Sequence, residues 1–354
     1  MKTLLWIGLI SLVLLNSAQA QQGKPNRPGL TDISPTVKIT PLGSHAGEFC
    51  RNDRALLFED PTGVRVLYDP GRTIDGGTDA RLGNVHVMLL SHAHTDHIGD
   101  TKPNPANPGT CASPGTVTAL PNSNFADIAA AKAAAVYVGG ELATFLGRKI
   151  QDVTGIATAT CDSAGPGNEQ VVPRVTPCTA ALRPGGSVTV RLSDAIEGVR
   201  IAVVPAFHSN GIPATMVDAL GVAPGTSAYG GGETGYILKF TNGLTVYLSG
   251  DTGMFGDMNA IIHKYYQPHL MVINIGDVAT TGPDEAAFAV TELVKPKTVM
   301  PSHSNEASTA GGTPAGPRVK RFLSQMAHTK IGVVLPLSGT AREFDGAGNC
   351  TTCQ

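Results

Sequence analysis

The chain reads as a mixed α/β domain rich in antiparallel sheet, and three observations point there. Its 354 residues, 42% of them hydrophobic, suffice for one large buried core or two modest ones. Short apolar runs of strand length recur along most of it, and helix-like segments separate only some of them. Between two such runs lies the turn Thr241-Asn242-Gly243, which marks a hairpin; the order is therefore not the strand-helix-strand repeat of a doubly wound parallel sheet.

The elements follow in order. Residues 21–36 are a polar, Pro/Gly-rich lead-in. Strands are predicted around Val37 to Leu42 and Val64 to Tyr68, the second ending in the turn Asp69-Pro70-Gly71. A third, Val85 to Leu90, delivers the stretch "SHAHTDHIGD" onto a loop at its C-terminal end. Residues 101–124 are rich in Pro, Asn and Gly and read as a long loop. The segment "FADIAAAKAAAVYVGGELATFLGRKI" predicts helix, short strand and helix, its alanines being strong helix formers. Residues 154–186 read as a second irregular insert, and both inserts are expected at the rim or lid of a site. Further strands are predicted over Ser187 to Leu192, Val199 to Val204, Gly235 to Phe240, Leu244 to Leu248, Leu270 to Ile273, Thr298 to Met300 and Ile331 to Val334. Helices are predicted over Pro283 to Val294 and Pro317 to Ala327. Gly282-Pro283-Asp284-Glu285 opens the first of these, with proline and acids where a first turn prefers them.

Composition narrows the partners. Lys+Arg 26 against Asp+Glu 28 gives a formal net charge of −2, so there is no basic footprint for a phosphate backbone and nucleic acid is not an expected partner. Residues 1–20 begin with Lys2, continue through an apolar stretch from Leu4 to Leu15 and end on the small-residue site Ala18-Gln19-Ala20. That is the pattern of a secretory signal cleaved after Ala20, leaving a periplasmic or secreted protein. A retained anchor is the other reading, but the stretch is shorter than the roughly 20 residues that span a bilayer, and no later segment is long enough either. Stable membrane insertion is not expected. Six cysteines, Cys50, Cys111, Cys161, Cys178, Cys350 and Cys353, would then fold in an oxidising compartment and are expected to form disulfides. Cys161 and Cys178 flank one Gly/Pro-rich loop and make the first candidate pair, while Cys350 and Cys353 read as a clamp on the tail.

The chemistry concentrates in "SHAHTDHIGD", where His92, His94, Asp96 and His97 fall within six positions. Three imidazoles so close together on a loop make poor packing and poor capping; together with a carboxylate they suit a zinc-like divalent ion. His208 after "RIAVVPAF", Asp251 after "LTVYLSG" and His303 after "KTVMPS" share the setting, each being a polar group at the end of a β-rich run. Taken singly, His208 or His303 is more often a hydrogen-bonded histidine than a ligand, and Asp251 has the context of a turn aspartate.

These segments, with "ITPLGSHAGEF", "VLYDPG", "PAFHSNG", "GDTGMFGDM" and "VMPSHSN", resemble the ordered motifs of the metallo-β-lactamase superfamily, "SHAHTDHIGD" matching its HxHxDH signature. The resemblance covers most of the chain after residue 36 and is nearest to the branch of ascorbate-6-phosphate lactonase and related metal-dependent hydrolases. It implies a four-layer αββα sandwich, one domain over 37–354 with two loop inserts, and a site along one edge. It implies two divalent ions, zinc first, with manganese or iron as the other candidates. His92, His94 and His208 would hold one, Asp96, His97 and His303 the other, and Asp251 would bridge them. Asp69 matches an acidic residue that hydrogen-bonds to a ligand imidazole, and His45 lies in a motif near the site where it could contact substrate.

The implied enzyme is an exported hydrolase that uses a metal-bound hydroxide to cleave a small ester, lactone or related bond. Two cations lower the pKa of bound water to about 7 and polarise the oxygen under attack, with Asp96 or Asp251 placed to move the proton. Two departures bear on substrate. β-Lactamases of the superfamily lack an aspartate where this chain has Asp251, although export would bring it to where β-lactams are met, so a periplasmic β-lactamase stands as an alternative. The cysteine-bearing inserts put a phosphosugar substrate in doubt; Arg318, Lys320 and Arg321 could receive a phosphate but read better as the solvated face of a helix. A non-catalytic metal-containing binding protein and an iron redox enzyme are the readings from other classes. Asp277 stays outside the site set, and self-association is left open.

Overall fold

Burial in the strands follows the two-residue period of extended chain. Val87–Leu90 is buried along its whole length, Val87 and Leu89 packing to one side of the sheet and Met88 and Leu90 to the other. Leu270–Asn274 repeats the pattern, with Leu270 and Val272 in the same central cluster as Val87 and Leu89, and Met271 and Ile273 on an outer face. Strands apolar on both faces need cover on both faces, and the chain supplies it in four layers.

The computed structural model describes residues 35–103, 109–162, 168–217, 223 and 225–353. Residues 1–20, where a secretory signal is expected, and most of the lead-in lie outside the described residues. One eight-stranded sheet runs in the order Arg342–Phe344, Val37–Pro41, Leu56–Glu59, Arg65–Tyr68, Val87–Leu90, Ala135–Gly139, Cys178–Leu182, Ala159–Thr160. The other eight-stranded sheet runs Gly332–Val333, Thr298–Ser302, Leu270–Asn274, Thr245–Leu248, Thr234–Lys239, Val199–Pro205, Ser187–Leu192, Glu169–Val172. Their inner faces meet in the central core, where Phe58 and Phe240 stack across the interface at 5.9 Å. Helices Asn124–Ala131 and Leu142–Thr154 cover the first sheet. The π-helical segments Met258–Tyr266 and Ala289–Val294, together with helix Pro317–Met326, cover the second. This is the αββα arrangement. Among the described residues no helix is long and apolar enough to cross a membrane.

The segment 154–186, expected to be an irregular rim or lid, is instead part of the sandwich. Its strand Cys178–Leu182 pairs in parallel with Ala135–Gly139, and Glu169–Val172 pairs in parallel with Ser187–Leu192, extending both sheets. Cys161, Val172 and Cys178 are buried in the central core, and the Cys161–Cys178 disulfide closes the loop between them. Runs this short carry too few periods to stand out from loop composition. Strand Leu56–Glu59, which is not among the predicted strands, pairs antiparallel with both Val37–Pro41 and Arg65–Tyr68.

Residues 101–124 hold a small hairpin, Thr101–Pro103 against Thr116–Thr118. Cys111 in this segment is bonded to Cys50, and Cys350 to Cys353, so all six cysteines are paired.

Candidate metal centre

The candidate residues sit where strands end. Asp69 follows Arg65–Tyr68, His92 lies just past Val87–Leu90, Asp251 just past Thr245–Leu248, and His303 directly after Thr298–Ser302. The ends of four strands, two from each sheet, thus converge on one edge. Asp69 and His303 adopt left-handed backbone at φ 40° and 45°, a conformation costly for a residue with a Cβ and held by the surrounding structure. The stretch after Leu90 was expected to be all loop, but Thr95–Ile98 is one helical turn capped by left-handed Gly99. His92 and His94 lie on extended chain before it and Asp96 and His97 on it, which turns the two pairs apart. Arg72 braces the turn, its Nε and Nη2 donating to Asp100 at 2.7 and 3.0 Å and its Nη2 to Thr95 Oγ1 at 2.8 Å. Glycine is required at Gly71, at φ 54°, because a Cβ there would stand 2.6 Å from the Asp96 carbonyl oxygen.

Three groups of donor atoms gather in this space, each with members within 4.8 Å of one another: His92, His94 and His208; His92, His97 and Asp251; Asp96, His97 and His303. His208 Nε2 lies 3.2 Å from His94 Nδ1, and His303 Nε2 lies 3.3 Å from Asp96 Oδ2. Asp251 stands between these groups, with Oδ1 3.3 Å from His97 Nε2 and Oδ2 3.0 Å from His303 Nε2 and 3.7 Å from His208 Nε2. Asp69 is buried behind them. It accepts hydrogen bonds from Ser91 N at 2.8 Å and Ser91 Oγ at 2.7 Å, and its Oδ2 lies 2.8 Å from His97 Nδ1.

Whether the residues suit a divalent ion is tested by the atoms they leave without protein partners. His92 Nε2 is buried and makes no hydrogen bond among the described residues, although its Nδ1 meets Ser91 Oγ at 2.9 Å. A buried ring nitrogen pointed at other nitrogens and carboxylates is an unsatisfied lone pair unless a proton or a cation meets it. The charges agree. Burial works against protonation of His97, yet the Asp251, Asp69 and Asp96 carboxylates push its pKa up to about 10. Burial alone would raise Asp251, but His303 and His97 hold it well below the usual carboxylate range. Burial lowers His92 well below the usual imidazole range, with the His97 charge adding to the effect. Buried carboxylates that draw a positive charge onto His97, beside a buried His92 that resists protonation, make a cage suited to a cation.

Further side chains hold these donors in place. Asn210 Oδ1 accepts from Ala93 N at 2.9 Å and pins the chain between His92 and His94. Glu233 accepts from His208 N at 2.9 Å, and Ser209 Oγ lies 3.2 Å from His94 Nε2. Arg54, 4% exposed, places Nη2 2.6 Å from Asp96 Oδ2 and Nε 3.3 Å from His97 Nε2. Its signal in sequence is slight: a charged residue within "CRNDRALLF", two positions before strand Leu56–Glu59. His45 is outside the grouped donors; its Nε2 meets the Gly109 carbonyl at 3.2 Å. Asp277 is exposed, and Arg321 is spent on a two-pronged pair with Asp284 at 2.7 and 2.9 Å.

Residues 52–303 match the family model described as the beta-lactamase superfamily domain, a span that takes in every grouped donor. The chain belongs to the metallo-β-lactamase superfamily. It is 30% identical over 321 residues to a UPF0173 metal-dependent hydrolase of Cupriavidus taiwanensis, covering 88% of this chain and 91% of that one. It is 31% identical over 300 residues to one from Cupriavidus necator, covering 82% and 83%. Among solved structures, a metallo hydrolase from Ignicoccus hospitalis matches with TM-score 0.54 at 23% identity, covering 88% of this chain and 99% of that one. The fold protein YhfI of Bacillus subtilis matches at TM-score 0.50 and 12% identity, covering 87% and 99%. Those two likenesses speak to the fold. With its relatives, the chain is a hydrolase of the metal-dependent class of this superfamily.

Proposed function

We propose that the protein hydrolyses a small ester, lactone or related bond, with donors for two divalent ions, and that it acts outside the cytoplasm. The observation that carries this is Asp251: a buried carboxylate within 3.0 to 3.7 Å of imidazoles from both donor groups, where one side chain can serve two ions. His92, His94 and His208 would hold the first ion and Asp96, His97 and His303 the second, with Asp69 fixing the ring of His97. Zinc fits these donors first, and imidazole with carboxylate also accepts manganese or iron. Bound there, such ions would make water nucleophilic near neutral pH and polarise the oxygen of the bond to be cleaved.

The protein's own groups do the rest. Asp96 keeps about a quarter of its side chain exposed, whereas Asp251 keeps about a twentieth, so Asp96 is the carboxylate that can reach a proton at the mouth of the site. Burial would raise Asp96, but Arg54 and then His97 hold it well below the usual carboxylate range, so it stands ionised. The lip beside His208 and Asp251 is apolar: exposed Phe207 stacks on Phe255 at 5.4 Å, and Met254 is exposed next to it. A substrate bearing an apolar substituent, as in a lactone or ester with a hydrocarbon part, suits that lip. Three disulfides and the signal-like first 20 residues support export.

The test is turnover of chromogenic esters, lactones, phosphodiesters and a cephalosporin, with and without chelator. Ester or lactone turnover that chelator abolishes, and that His94→Ala and Asp251→Ala each lower by about a hundredfold or more, is expected. Turnover of the cephalosporin alone would replace the reading with the β-lactamase one, and activity surviving in both variants would refute it.

A further inference from the structure

The two donor groups differ in more than the carboxylate that only one of them carries: an arginine stands beside that one. Arg54 Nη2 is 2.6 Å from Asp96 Oδ2, its Nε is 3.3 Å from His97 Nε2, and Asn305 Oδ1 lies 3.5 Å from Nη2. His97 Nδ1 faces Asp69 at 2.8 Å, which leaves Nε2 as the nitrogen with a lone pair to offer. The carboxylate and imidazole atoms that would bind the second ion are thus the ones the guanidinium already touches. Around His92, His94 and His208, no arginine or lysine hydrogen-bonds to a ring among the described residues.

Arg54 is not free to swing away. It is 4% exposed, and the loop that carries it is wound around Asp53, which accepts from Ser44 N at 2.9 Å, Ser44 Oγ at 3.1 Å and Cys50 N at 2.8 Å. Cys50 is in turn bonded to Cys111. Arg54 Nη1 is buried without a hydrogen-bond partner among the described residues, so packing around the loop, rather than a full set of hydrogen bonds, holds the charge in place. A divalent ion brought to Asp96 and His97 meets a fixed positive charge at hydrogen-bond range and a carboxylate whose donor strength is partly spent.

We propose that Arg54 makes the two ion sites unequal, the His92/His94/His208 group binding tightly and the Asp96/His97/His303 group weakly, with Arg54 setting the difference. This rests on the reading that the centre holds divalent ions, and it adds which site fills first. The experiment is titration of chelator-stripped full-length protein with zinc alone, read by calorimetry and by metal content after equilibrium dialysis, with thermal unfolding as a check on folding. Wild-type protein is expected to take up one zinc, then a second at least about tenfold more weakly. Arg54→Gln and Arg54→Met are each expected to bring the second event to within about threefold of the first, while His303→Ala removes only the weaker event. Two zinc ions of equal affinity in wild type, a gap unchanged in both folded Arg54 variants, or loss of the tight event in His303→Ala would each overturn the proposal while leaving the hydrolase reading intact. Wild type that binds no zinc, manganese or iron would remove both.

Discussion

Replacing Asp69 by asparagine is nearly isosteric, yet it should weaken ion binding through a side chain that touches no ion. Asp69 accepts from Ser91 N at 2.8 Å and Ser91 Oγ at 2.7 Å, and lies 2.8 Å from His97 Nδ1. An asparagine must keep its oxygen toward Ser91 N, which has no alternative acceptor in hand, so its NH2 faces the Ser91 hydroxyl and His97. The hydroxyl can rotate to accept; the ring can accept on Nδ1 only by moving its proton to Nε2, the nitrogen that faces Asp251 at 3.3 Å and the other donors. Removing the partner that orients a ligand imidazole costs about tenfold to a hundredfold in affinity, or roughly 1.4 to 2.8 kcal/mol. Losing the charge-assisted bonds should cost the metal-free protein about 1.5 to 3 kcal/mol besides. Competition against a chromogenic chelator at fixed pH reads the first quantity, and urea unfolding of stripped protein the second. An Asp69→Asn protein that held its ions within threefold of wild type would show that the Asp69–His97 contact does not orient a ligand.

Three more perturbations test the fold and the lip. Asp60, 2% exposed, accepts from Thr62 N and Oγ1 and from Thr241 N and Oγ1, tying a turn of one sheet to the hairpin of the other; Asp60→Ala is expected to cost about 3 kcal/mol in urea unfolding, and a loss under 1 kcal/mol would contradict it. The Cys161–Cys178 bond closes a separation of 17 residues around core strands, so the Cys161→Ser/Cys178→Ser double variant should lose about 3 kcal/mol, while thiol titration of unreduced wild type should find no free thiol. Phe207→Ala should raise KM for an apolar ester about threefold to tenfold with kcat within twofold, because it removes a stacking surface and no ligand; an unchanged KM would exclude the lip from binding.

What could be read beforehand tracks how local the signal is. Val87–Leu90, Thr245–Leu248 and Thr298–Ser302 are dense strand-like runs, and each leads within a few residues to a polar group that ended up in the centre. Helix Asn124–Ala131 announces itself through alanine content and a Ser123 cap whose Oγ accepts from Ala126 N. Leu56–Glu59, Glu169–Val172 and Cys178–Leu182 escaped because four or five residues barely display a period, and Cys178–Leu182 takes its partner, Ala135–Gly139, from well back along the chain.

The sequence alone determined the donor types, their order and their places at strand ends, because those follow from residue chemistry and from apolar runs short enough to read locally. The tertiary structure decided which donors meet. Asp251 stands between groups drawn from two sheets, and Arg54 reaches His97 across 43 positions of chain, a contact set by the packing of one sheet edge against a helical turn. Contacts of that kind depend on where a buried loop is pinned, and neither spacing nor composition records it. Whether a residue sits near the motif in sequence therefore says little about whether its charge acts on the centre.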